Sequence, residues 1–345
     1  MVVGIENVIR MMLVILLICV INSIVCACSS APADNRKGVS VAEGRHALPP
    51  QDGQDQGTVK KDWEFVPPRI PAALVSIDAK TEYLVKHFWE NYDFADTVSV
   101  SNPELLEQTL VNYLSMLSET TDEATAGSYL RKLADDMRKD SIVYAWFDEK
   151  LEHYLYDPNS PMRNDEYYMA VLQGMVESGR YREVEKLRPE YRMRMLRKNR
   201  KGSKAADFSY TLEGGERGTL NGIKSDFTLL LLYDPECENC RRAINEMVQS
   251  PVIRDLTTLT DVVVRVPAKV LTICVEHDME SWKAHLAALP DHWLNGFDSG
   301  HQIRDRQLYD LRSFPSLYLL DSDKRVLLKD VNVQDVIGYF TEQSN

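Results

Sequence analysis

Residues 227–247 read FTLLLLYDPECENCRRAINEM. The run 227–232 is apolar or β-branched at all six positions, the pattern of a strand buried on both faces. A short turn over residues 233–236 delivers Cys237 to the start of a helix, and Cys240 follows one turn later. A helix N-terminus offers unpaired N–H groups and the positive end of the dipole to a thiolate, so a Cys-x-x-Cys placed there is a redox proposal with a mechanism. Cys237 is the candidate nucleophile and Cys240 the candidate resolving thiol. Two other readings stand beside this one: a pair with only a structural or vestigial role, and half of a metal site. The metal site needs further ligands at suitable spacing. Outside the N-terminal segment only Cys274 remains, with no Cys or His cluster beside it, so neither metal nor organic cofactor is expected. Glu236 and Glu238 flank Cys237, and acidic neighbours oppose the pull of the helix terminus on a thiol.

The chain has 345 residues, 44% hydrophobic and 27% charged, enough for two domains with their own cores. A formal net charge of -12 argues against nucleic acid as a partner, because phosphate recognition needs a basic surface. No Gly-rich nucleotide loop is present. Near the N-terminus, residues 11–25 are uncharged and mostly apolar, preceded by Arg10 and followed by Cys26, Ala27 and Cys28. That length suits the apolar core of a secretory signal better than a membrane span. Residues 29–66 carry Gly, Pro, Asp, Gln and Ser without a sustained apolar period and read as a flexible tether.

Residues 67–201 read as an all-α domain. Helical spacing predicts helices over residues 80–91, 103–120, 125–147 with a continuation through 149–156, then 166–178, 181–187 and 189–199. The DPNSP run at 157–161 breaks the pattern. Its many aromatic residues, Trp89, Phe94 and Phe147 among them, are expected to pack between helices, with a partner-binding groove as the other use. The basic stretch 180–204 is expected to be a solvated helix face running into a linker, with the domain boundary at Gly202 and Ser203.

Residues 202–345 read as an α/β unit, with strands near 208–212, 227–232 and 270–275 and an apolar segment at 262–266. Helices are expected over 279–289 and 303–309, separated by a loop through Trp293 to Gly300. A hairpin pairs 316–320 with 325–328, and an amphipathic helix over 333–340 closes the domain. Cys274, in a strand, is expected to be a buried, inert thiol.

Three segments together resemble the thioredoxin superfamily, specifically its extracytoplasmic TlpA/ResA type: AADFSY at 205–210, TLLLLYDPECENC at 228–240 and LRSFPSLYLLDSDKRVLLKD at 311–330. The PMRNDEYYMAVLQ segment at 161–173 resembles the uncharacterised helical domain that precedes thioredoxin modules in lipoproteins of Bacteroides-like bacteria. The resemblance implies a thioredoxin-like domain with a central mixed sheet, an exposed Cys237, a partly buried Cys240 and a cis-proline at Pro315. Phe314 and Pro315 would then contact substrate. The sequence departs from the family's pattern in four places: Phe314 is bulkier than the small or β-branched residue common there, Glu236 replaces the usual Trp, Glu238-Asn239 replace Gly-Pro, and Leu231 stands where many relatives hold a buried acid. Proton transfer would fall to water, Glu236, Glu238 or, less directly, Asp234.

The VCACS run at 25–29 resembles a lipoprotein processing box, which makes Cys28 the lipid-bearing residue and residues 1–28 a signal segment. The expectation is a thiol–disulfide oxidoreductase of the bacterial envelope, direction open. It would be lipid-anchored, on an outer membrane facing the periplasm or the cell surface, and would act on protein dithiols or disulfides with an unidentified redox partner. The alternative is a non-enzymatic, lipid-anchored binding or adaptor protein on a thioredoxin-like scaffold.

Overall fold

The computed structural model describes residues 63–258, 267–276 and 278–342. Residues 1–28, expected to be a signal segment ending at Cys28, nearly all of the expected tether and the apolar run 262–266 lie outside them. Among the described residues no helix is long and apolar enough to cross a membrane.

The helical region comprises α1 (Ile77–His87), α2 (Pro103–Thr120), α3 (Glu123–Asp136), α4 (Ser141–Leu155), α5 (Asp165–Glu177) and α6 (Glu183–Leu196). α2 has Pro103 in its first turn, where the missing N–H is harmless, and buries Leu106, Leu110, Tyr113, Leu114 and Leu117 on one stripe. The single helix expected over 125–147 is two. Asp140 adopts an extended backbone and accepts the N–H groups of Ile142 and Val143, so the chain restarts as α4 after a tight turn at Met137–Lys139. Conversely, the two helices expected around Pro189 are one. Pro189 is buried in α6 with Met193 and Leu196, a stripe at helical spacing. Burial of that face outweighs the roughly 3 kcal/mol that an interior proline costs a helix.

α5 crosses α3 backbone to backbone. A Cβ on Gly174 would lie 2.6 Å from the Arg131 carbonyl oxygen and 2.8 Å from the Ala134 Cβ, closer than packed atoms come. Neither the Arg131 backbone nor the Ala134 methyl group can swing aside. Gly174→Ala is therefore expected to destabilise the chain by about 1–3 kcal/mol, read as a lower denaturant midpoint with unchanged slope.

The aromatic residues serve packing. Trp89 meets the rings of Phe88, Tyr92, Phe94, Tyr113 and Phe147 at centroid distances of 5.1, 5.3, 6.0, 5.5 and 5.4 Å. Most basic residues of 180–204 are exposed, as expected of a solvated helix face, and Arg192 is the main exception. Arg188 and Arg192 both reach Glu152, and Arg192 lies over the Tyr156 and Tyr168 rings with only 13% of its side chain exposed.

Among the described residues the α/β region has seven strands: β1 (Ser209–Leu212), β2 (Arg217–Thr219), β3 (Phe227–Tyr233), β4 (Ala268–Cys274), β5 (Leu294–Phe297), β6 (Ser316–Leu320) and β7 (Val326–Leu328). Their order is β2-β1-β5-β4-β3-β6-β7, a mixed sheet in which β3, β4 and β5 are parallel. β6 runs antiparallel to β3, and β7 to β6. Along β3 the side chains alternate between two cores. Leu229, Leu231 and Tyr233 face α7 (Glu238–Gln249), α8 (Pro251–Thr257) and α11 (Val333–Glu342), whereas Leu230 and Leu232 join Phe208, Leu220, Ile303 and Tyr309 on the other side. Two short helices, α9 (Met279–His285) and α10 (Gln302–Asp305), complete the region. β5 falls where a loop is expected. Four residues including Gly296 carry little strand signal, and its conformation is set by pairing to β4 on one side and β1 on the other.

The boundary at Gly202 and Ser203 is not a free linker. Gly202 N–H donates to the Val326 carbonyl at 2.7 Å, Val326 N–H to Ser203 at 2.9 Å and Ala205 N–H to Lys324 at 2.8 Å. The junction is thus paired along β7. The helical and α/β regions keep separate hydrophobic cores, yet the described residues of both fall within one compact unit.

Candidate active site

The buried strand β3 ends at Tyr233, and the chain turns at once into α7. Asp234 shapes that turn: its carboxylate accepts the Glu236 N–H at 2.8 Å, and its carbonyl accepts the Cys237 N–H at 3.2 Å. Cys237 therefore occupies the N-cap of α7, where the helix N–H groups converge, and it is partly exposed. Cys240 lies one turn on and is fully buried. Burial pushes the Cys240 thiol well above its ordinary value; a backbone hydrogen bond at Asp234 opposes this, while Cys237 and the Asp234 charge add to it. Both cysteines are free thiols in this structure.

Opposite the pair, the peptide between Phe314 and Pro315 is cis, and the Phe314 carbonyl accepts the Cys237 Sγ–H at 3.6 Å. Phe314 is half-buried between the two cores of the α/β region. Of the acidic residues named for proton transfer, Glu236 and Glu238 are exposed, and Glu238 pairs with Arg241. Asp234 is the one whose charge is felt at Cys240 and at Cys274. Leu231 points into the core, so no carboxylate occupies its place in β3. Cys274 is buried, donates to the Glu276 carbonyl at 2.8 Å and is pushed up by burial to about 12. It stands as an inert thiol beside Tyr233.

The structure also gathers residues to which the sequence assigned no role. Arg312, two positions before Phe314, extends into the helical region. Its guanidinium reaches both Asp165 carboxylate oxygens at 2.9 and 3.1 Å, donates to the Tyr156 carbonyl at 3.2 Å and lies 4.4 Å above the Tyr156 ring. Asp310 lies 3.0 Å and Asp330 3.7 Å from the same group, and only 7% of the Arg312 side chain is exposed. Asp330 in turn accepts the Ser316 hydroxyl at 2.8 Å and pairs with Arg163 at 3.1 Å, while Lys329 pairs with Asp165 at 2.9 Å. Burial alone would raise Asp165, but Arg312 and Lys329 overcome it and hold the carboxyl below its ordinary value. Asp310 goes the other way: burial lifts it despite the same two cations. A charged residue in LRSFP was the only hint in the sequence, because Asp165 lies 147 residues away.

A buried strand leading to an exposed cysteine at a helix N-terminus, with a proline loop across from it, defines the thioredoxin-like class. The sequence model described as Domain of unknown function (DUF5106) matches residues 27–199, and the chain belongs to that family, joined to a thioredoxin-like region. A thioredoxin-like protein from Bacteroides caccae has a crystal structure 38% identical to this chain, with a TM-score of 0.75, covering 81% of this chain and 99% of its own. The C-terminal domain of an uncharacterised protein from Bacteroides fragilis is 40% identical over 41% of this chain and 98% of its own, with a TM-score of 0.39. No curated protein matches the chain.

Proposed function

We propose that this chain exchanges disulfides with protein clients, with Cys237 as the nucleophile and Cys240 as the resolving thiol. The observation that carries the reading is the contrast between the two sulfurs. One is reachable at a helix N-terminus facing the Phe314 carbonyl; the other is sealed one turn behind it. In the reducing direction the Cys237 thiolate attacks one client sulfur, forming a mixed disulfide and expelling a client thiolate that takes up a proton. Cys240 then loses its proton and attacks the Cys237 sulfur, releasing the second client thiol and leaving a Cys237–Cys240 disulfide. The client gains two electrons, and an external dithiol must return them to the chain. The reverse sequence oxidises a client dithiol, and the potential of the pair decides between them. Resolution needs a base near a thiol whose burial disfavours ionisation. Asp234 is the residue placed to influence that step, directly or through water.

Anchoring belongs to the same proposal. The apolar run 11–25 and the VCACS segment support export and lipid attachment at Cys28, which would hold the redox region at an envelope membrane.

The test is a redox titration of the purified chain in graded dithiothreitol buffers, with free thiols trapped and counted. The expected result is a two-electron transition within roughly −120 to −300 mV, accompanied by reduction of oxidised glutathione. Absence of a Cys237–Cys240 disulfide at any poise, or reduction unchanged in Cys237→Ser, would overturn the reading.

A further inference from the structure

A cleft of about 1060 Å³ runs beside Phe314 and Pro315. Asn239 and Arg242 of α7 and the chain around Lys329 form one side. The other side belongs to the helical region: residues 158–166, the turn between α4 and α5 with the start of α5. Three cross-connections fix the two sides to each other. Arg163 reaches the Asp330 carboxylate and carbonyl, Arg312 reaches Asp165 and the Tyr156 carbonyl, and Lys329 reaches Asp165 and, at 2.8 Å, the Leu196 carbonyl.

The same connections bracket the redox loop. Arg312 lies two residues before Phe314, and Ser316 lies one residue after Pro315 and donates to Asp330. Both flanks of the loop facing Cys237 are thereby tied, through Asp165 and Arg163, to the helical region. The ionic groups along the cleft are largely spent on one another: Arg163 with Asp330, Lys329 with Asp165, Arg200 with Glu166. Such a cleft has little net field with which to select a charged partner, so shape and backbone hydrogen bonds decide what enters.

We propose that the helical region is the client-selecting part of the redox site: residues 158–166 wall the cleft so that it accepts a disulfide carried on an extended, uncharged peptide segment and excludes one on a folded surface. The inference rests on the disulfide-exchange reading above. A cleft at the top of the roughly 300–1000 Å³ range of ligand sites, walled on both sides, has room for a short strand of peptide. Cys237 does not line the cleft but adjoins it through Phe314, whose carbonyl accepts the Cys237 Sγ–H, and a space walled on two sides admits a single chain more readily than a folded surface.

Asn159 is exposed on that wall, and its backbone N–H bond to Asp157 is kept by any side chain, so Asn159→Trp adds bulk without entering a core. The probes are oxidised glutathione and an unstructured, neutral peptide containing one disulfide, with turnover of each measured on the purified chain and its thermal midpoint recorded. Asn159→Trp is expected to lower the ratio of the peptide rate to the glutathione rate by roughly tenfold at an unchanged midpoint, with the loss mainly in KM. Arg163→Ala, which removes one of the three ties and leaves those of Arg312 and Lys329, is expected to raise activity on a folded, disulfide-containing protein modestly relative to the peptide. If both probes are reduced but neither variant shifts its ratio, the selecting role is overturned while disulfide exchange stands. If the wild-type chain reduces no probe, the exchange reading fails and takes this inference with it.

Discussion

Cys240→Ser is expected to stall the chain as a mixed disulfide with its client, and Cys237→Ser to abolish exchange. The asymmetry follows from burial. Cys237 is reachable from solvent and can open a client disulfide alone, whereas Cys240 is fully buried and its thiol is held protonated. Without Cys240 nothing close by attacks the intermediate, so the client remains attached until an external thiol frees it. Without Cys237 the remaining sulfur cannot meet a client, and the turnover rate should fall by at least about a thousandfold, as when a nucleophile is removed from a two-step mechanism. Mass spectrometry of the acid-quenched reaction distinguishes the two outcomes. Accumulation of client on Cys240 rather than Cys237 would reverse the assignment of roles.

Arg312→Ala carries the largest expected effect on stability. The substitution leaves Asp165, Asp310 and Asp330 grouped with only Lys329 and Arg163 to oppose them; Asp310 and Asp330 are 6% and 7% exposed. Removing one partner of a buried ionic group costs about 3–5 kcal/mol, far more than a surface pair is worth. For a chain of this size that lowers the melting temperature by about 10 °C. The pH dependence identifies the cause. Asp165 is depressed in the folded chain, so its contribution is present above the unfolded carboxylate value of about 4 and is lost as pH falls through the lower folded value. Asp310 is raised, so it opposes stability once pH climbs above that same unfolded value, and protonating it relieves the chain. In the variant Asp165 and Asp310 lose their largest counter-charge and shift upward. The stability gap between wild type and Arg312→Ala should therefore narrow as pH falls from 7 toward 4, as followed by denaturant titration at each pH. A gap independent of pH would mean that lost packing against Tyr156, not charge, is responsible.

The redox motif was legible because its signal is local. The apolar run from Phe227 to Leu232, ended by a turn, has the pattern of a two-sided strand, and a spacing of three places both cysteines one turn apart on the helix that follows. The start at Pro103 and the apolar stripe of α2 were legible for the same reason. The sheet was legible in outline, but β5 was not, since Leu294 to Phe297 become a strand only through neighbours supplied by β1 and β4.

By itself the sequence determined the chemistry on offer: two thiols, their order, their separation, and a Phe-Pro loop at the entrance to a buried strand. Tertiary structure decided what surrounds that chemistry. It ran α6 straight through Pro189, paired the expected linker at Gly202 with β7, and brought Arg312 to Asp165 and Arg163 to Asp330 across separations of 147 and 167 residues. The physical reason is range. Hydrophobic periodicity, capping and turn preference act over a few residues, whereas an ion pair depends on where two distant backbones come to rest, and no local pattern carries that information.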